Sequence, residues 1–414
     1  MAKTILGVDI GYDNLKLALI RDTEVKKTVA VPMPKNMVRD GKVVSGEAMA
    51  ELIRDTMKEN GIRTNDAAFV IPNERSYVKT VTLPVMTADQ LAYNLPFEFR
   101  DYITGEIRDF LFDYAMISGP GEEQKKKSFL SSIFGGGGGK NKDKKGGKAG
   151  KKEKKESSPD ESGQDDFSQG GSAFGASQSS FGGGFGNSPS GGAGQEEGED
   201  GKKESNQMEL LAVSVPRAEI DQARDIFRKA GLKLTKAAPS LCAYINLIRL
   251  FEKNSGKESG EGGFEEYCIL DLGYQSIRLH MFRGDRHMVT RVLDIGLSSL
   301  DSVITEAYGT DIHLAHTYIL TNYDNCQERE ECIQAYDNIA MELMRVMNFY
   351  RYSNPDSNIT DIWLCGGGAS IAPLREAIGG TLGLDAHPAA DLIPGGEEIE
   401  DANSFVQAIG VAIG

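Results

Sequence analysis

The chain has 414 residues, of which 40% are hydrophobic, and its formal net charge is −15 at pH 7. This length exceeds one small core and predicts two domains, while the acidic balance argues against nucleic acid as the main ligand. Its five cysteines are scattered without zinc-ligand spacing, which predicts buried free thiols rather than a metal site. No apolar stretch is long enough to span a bilayer, and the N-terminus does not resemble a secretory signal, so we expect a soluble intracellular protein.

The first predicted element is a pair of strands within residues 5–20, ILGVDIGYDNLKLALI. Asp9 stands at the end of the first strand, and Gly11 follows it in a polar turn. Taken alone, the pattern fits equally well a β-hairpin whose Asp9 and Gly11 only shape the turn and a loop that binds phosphate.

Strands and helices alternate along most of the chain that follows. Apolar residues at helical spacing occur in 46–61, 87–103 and 216–231, and strand-like runs occur in 67–72, 76–84 and 266–273. This alternation predicts α/β layers.

One long segment breaks the alternation. Between Ser118 and Gln207 the chain contains a glycine run, a lysine-dense tract and a Gly/Ser/Phe stretch. Because such a composition cannot bury enough apolar surface to offset its ordering entropy, we expect a disordered insert over 119–206. The strand-like runs 109–117 and 208–215 flank it, which predicts a hairpin with a greatly lengthened loop.

The opening stretch recurs at residues 267–282, YCILDLGYQSIRLHMF. An internal repeat of this kind implies two similarly built halves that face each other. The matched pairs are Asp9 with Asp271, Gly11 with Gly273, Tyr12 with Tyr274, Asn14 with Ser276, and Lys16 with Arg278.

The repeat indicates a specific chemistry. Tight glycine turns expose successive backbone N–H groups that cradle phosphate oxygens, and the side chains of Asn14 and Ser276 add donors. A carboxylate at each strand end, Asp9 and Asp271, suits Mg²⁺, which is usually held through water. The sequence therefore predicts a nucleotide bracketed by two loops, with Asp9 and Asp271 as the magnesium-binding pair.

A third motif lies in residues 361–378, DIWLCGGGASIAPLREAI. A predicted strand is followed by Gly366, Gly367 and Gly368 and by a helix that starts near Ser370. The helix N-terminus favours an anionic ligand, and the glycines allow a base or ribose to approach the backbone. The alternative is an ordinary strand-to-helix turn, which does not need three glycines.

These three motifs, in this order, resemble the phosphate-1, phosphate-2 and adenosine motifs of the actin, sugar kinase and heat-shock chaperone superfamily. Residues 238–248 and 404–414 resemble its two connecting helices, whereas a P-loop signature is lacking. The resemblance implies that ATP and Mg²⁺ are the ligands. The nucleotide-site residues it implies are Asp9, Gly11, Tyr12, Asp13, Asn14, Lys16, Asp271, Gly273, Tyr274, Ser276, Gly366, Gly367, Gly368 and Ser370.

Further stretches resemble the PilM and FtsA branch of this superfamily. Residues 82–103 resemble part of its extra small subdomain, and 209–234 resemble the strand–Val-Pro–helix unit that follows. The helix at 341–352 resembles the one that places a glutamate and an arginine near the ribose, here Glu342 and Arg345, although a surface ion pair is nearly as good an explanation. FtsA proteins end in a membrane-binding helix, and its absence from the end of this sequence favours the PilM side.

The fold implied by the resemblance is a two-lobed, actin-like α/β protein built from duplicated ribonuclease H-like domains. The expected first lobe is 1–238, with a small α+β subdomain at about 25–118 and 207–232. The expected second lobe is 239–403, and 404–414 is a connecting helix that returns to the first lobe.

The function implied by the resemblance is that of a cytoplasmic ATP-binding adaptor in a type IV pilus-like machine. Its implied partner is the cytoplasmic tail of a PilN-like inner-membrane protein, through which it would lie at the membrane, with other pilus assembly proteins as further candidates. Hydrolysis is expected to be weak or absent because no residue on 238–248 is placed to activate water. The alternatives are an FtsA- or MreB-like filament protein and, less favoured, a small-molecule kinase.

The implied tail groove lies beside the small subdomain. Helix 87–103 carries more apolar residues than one buried stripe needs, so we expect some of them at the surface as a groove wall, although a fully buried helix is the simpler alternative. These residues are Leu91, Leu95, Phe97, Phe99, Tyr102 and Ile103.

Overall fold

The computed structural model describes residues 3–118, 207–256 and 265–414, so the predicted disordered insert 119–206 lies outside the described residues. The strands are β1 (Thr4–Ile10), β2 (Asn14–Arg21), β3 (Glu24–Pro32), β4 (Val38–Arg39), β5 (Lys42–Val43), β6 (Asp66–Ile71), β7 (Tyr77–Pro84), β8 (Phe110–Ser118), β9 (Gln207–Pro216), β10 (Lys233–Pro239), β11 (Glu266–Leu272), β12 (Ile277–Arg283), β13 (Arg286–Leu293), β14 (Asp361–Cys365) and β15 (Asp385–Pro388). The helices are α1 (Gly46–Glu59), α2 (Ala88–Glu98), α3 (Arg217–Lys229), α4 (Ser240–Asn254), α5 (Ser298–Tyr308), α6 (Ile312–Thr321), α7 (Glu330–Ser353), α8 (Ala372–Leu382) and α9 (Ala402–Ile413).

Two five-stranded sheets have the same topology. The first lobe has the order β3-β2-β1-β6-β10 and the second lobe has the order β13-β12-β11-β14-β15. In each sheet the first three strands along the chain pair antiparallel, and the remaining two join in parallel. The repeated sequence motif is thus the first hairpin of each lobe, β1–β2 and β11–β12.

The helix boundaries follow from local signals. Ser45 caps α1 by accepting a hydrogen bond from the Ala48 N–H, and Thr87 forms a capping box with Gln90 at the start of α2. Gly309 and Gly383 end α5 and α8 in the left-handed conformation that glycine adopts without a Cβ penalty.

The two sheets share a hydrophobic core that contains α4 and α9. Both helices approach their neighbours closely. A Cβ atom on Gly7 of β1 would lie 1.9 Å from the Ala408 carbonyl oxygen, and one on Gly410 would lie 2.5 Å from that of Ala243. Glycine at both positions therefore lets α9 pack directly against β1 and α4.

A separate three-stranded sheet, in the order β7-β9-β8, forms a small core with α2. Strands β8 and β9 pair antiparallel from Phe110 opposite Pro216 to Ser118 opposite Glu209, which confirms the hairpin predicted on either side of 119–206. Strands β3 and β6 lie in the first-lobe sheet although they fall within the range expected for the small subdomain, because their backbone groups pair with β2 and β1.

The five cysteines are free and buried, as predicted. Within residues 3–118, 207–256 and 265–414, no helix combines the length and the apolar composition needed to cross a bilayer.

Candidate functional site

Two glycine loops connect the strands of the repeated hairpins. The first glycine loop is Gly11–Asn14 and the second is Gly273–Ser276. The Gly11 N–H donates to the Asn14 carbonyl oxygen at 3.0 Å, which closes the first loop on itself. A Cβ atom on Gly11 would lie 3.0 Å from the Asn14 carbonyl oxygen, and one on Gly273 would lie 2.7 Å from that of Ser276. Both loops therefore make the same tight return, and a side chain at either glycine would crowd it.

The loops face each other across a cavity of about 350 Å³, within the range of small-molecule sites. It lies between the lobes and is also reached by the glycine motif after β14. The predicted site residues that line it are Asp9, Gly11, Tyr12, Asp13, Asn14, Lys16, Asp271, Gly273, Tyr274, Ser276, Gly366, Gly367 and Ser370.

Asp9 pairs with a lysine from the neighbouring strand. Strands β1 and β2 place Asp9 opposite Lys16, and the ammonium nitrogen lies 3.7 Å from the Asp9 carboxylate. Burial raises the pKa of Asp9, and the charge of Asp271 adds to this, while Lys16 opposes it. The two predicted metal-binding carboxylates are therefore close enough to influence each other's ionisation.

Asp271 is held differently. Its carboxylate accepts a hydrogen bond from Gln407 of α9 at 2.9 Å, and Gln407 also donates to the Tyr244 hydroxyl at 3.0 Å. Burial raises the pKa of Asp271, against the charges of Arg278 and Lys16. Gly366 has a φ of +83°, and a Cβ atom there would lie 2.8 Å from the Asp271 carboxylate, so only glycine fits beside it.

Two ion pairs connect the first lobe to the second, one within the cavity and one beside it. Arg278 of β12 binds Glu74, which follows β6 in the first lobe. His316 of α6 contacts the carboxylate of Asp13 in the first glycine loop at 2.9 Å and that of Asp301 in α5 at 3.0 Å. These contacts connect the first lobe to the second at the cavity walls.

The protonation of His316 is controlled by the carboxylates of Asp13 and Asp301. Each of its ring nitrogens faces one of them, an arrangement that calls for protons on both nitrogens. Burial opposes the charged ring, but the hydrogen bonds to Asp13 and Asp301 outweigh it and raise the pKa of His316 to about 9. The imidazolium is therefore the stable form at neutral pH.

A tyrosine follows the first glycine of each loop, Tyr12 in the first and Tyr274 in the second. Tyr12 is hydrogen-bonded to the Gly41 backbone. The Tyr274 hydroxyl is hydrogen-bonded to Asp301, and its ring meets that of His316 edge to face at 5.3 Å between centroids. Both rings form cavity walls and have their hydroxyls bound to protein groups.

Three predicted site residues do not line this cavity. Glu342 and Arg345 form an ion pair with each other on α7, and both side chains are half exposed or more. Gly368 is buried beneath Leu272 and Leu297, where a Cβ atom would lie 2.8 Å from the Leu272 Cβ. This ion pair is the alternative to ribose binding that the sequence had left open for Glu342 and Arg345.

Glu74, Gln407 and His316 were absent from the sequence prediction, and Arg278 entered it only as the repeat partner of Lys16. Arg278 had a usable signal, since it occupies the Lys16 position of the repeat and, like it, lies opposite an aspartate. Glu74 and His316 come from segments without a motif, whereas Gln407 lies on the predicted second connecting helix, 404–414, where no side chain was singled out.

The cavity is lined by five carboxylates but only two cationic side chains, Lys16 and Arg278. Among the residues that the structure describes, no group of three or more His, Cys, Asp or Glu side chains could hold a metal ion by itself. A divalent cation in this cavity would therefore need further ligands from water or from a bound anion, which is the usual state of protein-bound Mg²⁺.

A second cavity, of about 300 Å³, lies beside the small three-stranded sheet. Its apolar wall includes Met116 and Ile117 of β8, Ile245 of α4 and Ile413 of α9. Arg249 and Lys253 also line this cavity, where Arg249 pairs with Asp285 at 2.6 Å.

The comparisons with known proteins agree with this architecture. The family model described as type IV pilus assembly protein PilM matches residues 7–132 and 199–392. No curated protein sequence matches the chain. The structure is similar to a solved PilM-PilN type IV pilus biogenesis complex, with 17% identity and a TM-score of 0.66, covering 100% of this chain and 98% of that one.

A second similar structure is the ethanolamine utilization protein EutJ from Carboxydothermus hydrogenoformans. It shares 11% identity at a TM-score of 0.51, and the match covers 100% of this chain and 90% of that one. Together with the two equivalent sheets, these likenesses confirm the predicted two-lobed actin-like fold. The family match does not favour the filament and kinase alternatives. The chain belongs to the type IV pilus assembly protein PilM family.

Proposed function

We propose that this protein is a cytoplasmic adaptor of a type IV pilus machine that binds Mg²⁺-ATP between its lobes. The observation that carries the nucleotide assignment is the pair of equivalent glycine loops on opposite walls of one cavity. Their backbone N–H groups would hold the phosphates, as in other glycine-rich turns. The glycines after β14 would leave room for the base or ribose.

The charges of the cavity support a magnesium requirement. A triphosphate adds several negative charges to a cavity that already has five carboxylates. Asp9 and Asp271 would bind the ion through water, and Lys16 would contact phosphate. We expect calorimetry to detect ATP binding with Mg²⁺ and to lose it when EDTA removes the metal; equal binding under both conditions would contradict the assignment.

Slow or undetectable hydrolysis is part of the proposal. None of the described residues that line the cavity comes from α4, the helix from which a water-activating group was sought. Ser240 at its start donates instead to Asn73 at 2.9 Å. Phosphate release at the ordinary enzyme rate of roughly 1 per second or faster would contradict this.

The proposed partner is the cytoplasmic tail of a PilN-like protein, through which the chain would lie at the inner membrane face. Family membership and the likeness to a PilM-PilN complex support this partner. We place the tail in the second cavity, because its apolar wall beside the small sheet offers pockets for alternate side chains of an extended peptide.

The alternative place for the tail is the surface formed by α2 and the turn that follows it. Leu91, Leu95 and Phe99 are buried, whereas Phe97 and Tyr102 are 42% and 51% exposed. The two variants compared are therefore Met116→Glu in the second cavity and Tyr102→Ala in the turn that follows α2, and Met116 tolerates change because it is 43% exposed.

We expect Met116→Glu to abolish capture of a PilN-like tail peptide in fluorescence anisotropy, and Tyr102→Ala to leave it unchanged. Loss of capture in the Tyr102 variant alone would move the groove to α2. Mg²⁺-ATP binding serves as the folding control for both proteins.

A further inference from the structure

Arg278 and Lys16 occupy equivalent positions but have different partners. Each lies opposite the aspartate of its own hairpin, Asp271 or Asp9. Lys16 remains with Asp9, whereas the Arg278 guanidinium extends across the cavity and binds Glu74 of the other lobe. The side chain of Arg278 is 13% exposed and that of Glu74 is 35% exposed, and both line the cavity.

The backbone that carries Glu74 is fixed on both sides. Arg75 binds Glu219 of α3 at 2.9 Å, and Asn73 accepts the hydrogen bond from Ser240 of α4. If the Arg278 guanidinium moves away, the backbone at Glu74 cannot move with it unless these contacts break. The acceptor of this ion pair, Glu74, is therefore held in place on the first lobe, whereas the donor on the second lobe, Arg278, has a long and flexible side chain.

Arg278 also remains within electrostatic reach of the second glycine loop. Its charge lowers the pKa of Asp271 at the start of that loop, against the larger effect of burial. A guanidinium presents planar N–H donors that match a phosphate group as well as a carboxylate. A phosphate held by this loop would therefore compete with Glu74 for the same donors.

We propose that Glu74 is an internal competitor of the nucleotide and that Arg278 is a phosphate-binding residue whose guanidinium exchanges Glu74 for phosphate when the cavity fills. The inference rests on the proposed nucleotide function and adds a regulatory device to that site. Glu74 weakens phosphate binding by occupying Arg278, and bound phosphate removes one contact between the lobes. The adaptor thereby acquires a lobe contact that depends on nucleotide.

The test compares four proteins: the wild type, Glu74→Gln, Arg278→Gln and the double variant. Calorimetry measures their affinity for Mg²⁺-ATP and, as a phosphate-free control, for adenosine. Asp225→Asn is a matched control for the loss of one negative charge, because Asp225 pairs with Lys229 on the exposed face of α3.

We expect Glu74→Gln to bind Mg²⁺-ATP about two- to fivefold more tightly, the scale of one partly exposed ion pair. Arg278→Gln should bind about tenfold or more weakly, as expected for the loss of a hydrogen bond to a charged group. The double variant should match Arg278→Gln, because Glu74 acts only through Arg278. Adenosine affinity and the Asp225 variant should remain at wild-type values.

Tighter Mg²⁺-ATP binding by Glu74→Gln together with weaker binding by Arg278→Gln distinguishes this proposal from a purely structural ion pair. Loss of a structural ion pair would weaken binding in both single variants. Unchanged or weaker binding by Glu74→Gln overturns the inference while leaving the nucleotide site intact. A double variant that differs from Arg278→Gln also overturns it. If the wild type binds no Mg²⁺-ATP, the proposed nucleotide function fails and this inference fails with it. Should Arg278→Gln not fold, Arg278→Lys with intermediate affinity provides the same comparison.

Discussion

The two halves of the cavity share a backbone but differ in how their charged side chains are satisfied. In the first half, Asp9 and Lys16 neutralise each other within one hairpin. In the second half, Asp271 accepts a hydrogen bond from Gln407 of α9, and Arg278 forms an ion pair with Glu74 of the opposite lobe. The duplicated hairpin thus has an aspartate–lysine pair satisfied within the first copy, whereas the equivalent aspartate and arginine of the second copy make contacts beyond their own hairpin.

The difference shows where lobe arrangement and ligand are connected. The ion pair between Asp9 and Lys16 is made within one hairpin and does not require the other lobe. Contacts made across the cavity require both lobes to be in place, so a ligand that alters them changes the balance between lobe arrangements. The second half and the Asp13–His316 contact have this property.

The largest effect is expected from removing the two carboxylates one at a time. Asp271→Asn should weaken Mg²⁺-ATP binding about a hundredfold, the upper scale of a hydrogen bond to a charged group. Asp9→Asn should cost only about tenfold, because Lys16, no longer shared with Asp9, would bind phosphate more strongly. Calorimetry measures both, and circular dichroism checks the fold. Equal losses would mean that the two halves act alike.

The loop glycines provide a second comparison, in stability. Gly273→Ala should destabilise the folded protein by about 2 kcal/mol, because the added Cβ would lie only 2.7 Å from the Ser276 carbonyl oxygen. Gly11→Ala should cost about half as much, since its space is 3.0 Å. Chemical unfolding measures the two free energies. A Gly11 variant that is the less stable of the pair would contradict this order.

The contact of His316 with Asp13 and Asp301 should depend on pH. The pKa of His316 is raised to about 9, so the folded protein holds its proton over a range where the unfolded chain releases it. The stability from this contact is complete below the ordinary histidine pKa of about 6.5 and is lost as pH rises through about 9.

Thermal unfolding of the wild type and His316→Gln between pH 6 and 10 tests this. The difference in melting temperature between the two proteins should shrink as pH rises, because only the wild type has the titrating contact. A constant difference across the range would show that the charge of His316 contributes nothing to stability.

The smallest effect is expected at the ion pair on α7. Arg345→Gln should change neither Mg²⁺-ATP affinity nor stability by more than about 0.5 kcal/mol, the scale of an exposed helical ion pair. Glu342→Gln is its matched partner. A tenfold loss of affinity in either variant would return this pair to the nucleotide site.

Sequence alone determined the local parts of the protein. The conformation of a tight glycine turn depends on the few residues within it, so the repeat at Asp9 and Asp271 was readable before any contact was known. The same holds for the glycine motif after β14 and for the strands on either side of 119–206. Periodic apolar residues and helix caps are signals of the same short range.

Only the tertiary structure decided which side chains meet in the cavity. His316 contacts a residue 303 positions away, Arg278 one 204 positions away and Gln407 one 136 positions away. The same structure turned Glu342 and Arg345 toward each other and away from the site. Such contacts depend on how the two sheets pack around α4 and α9. The short-range signals that predict a turn contain no information about which distant residues this packing brings together.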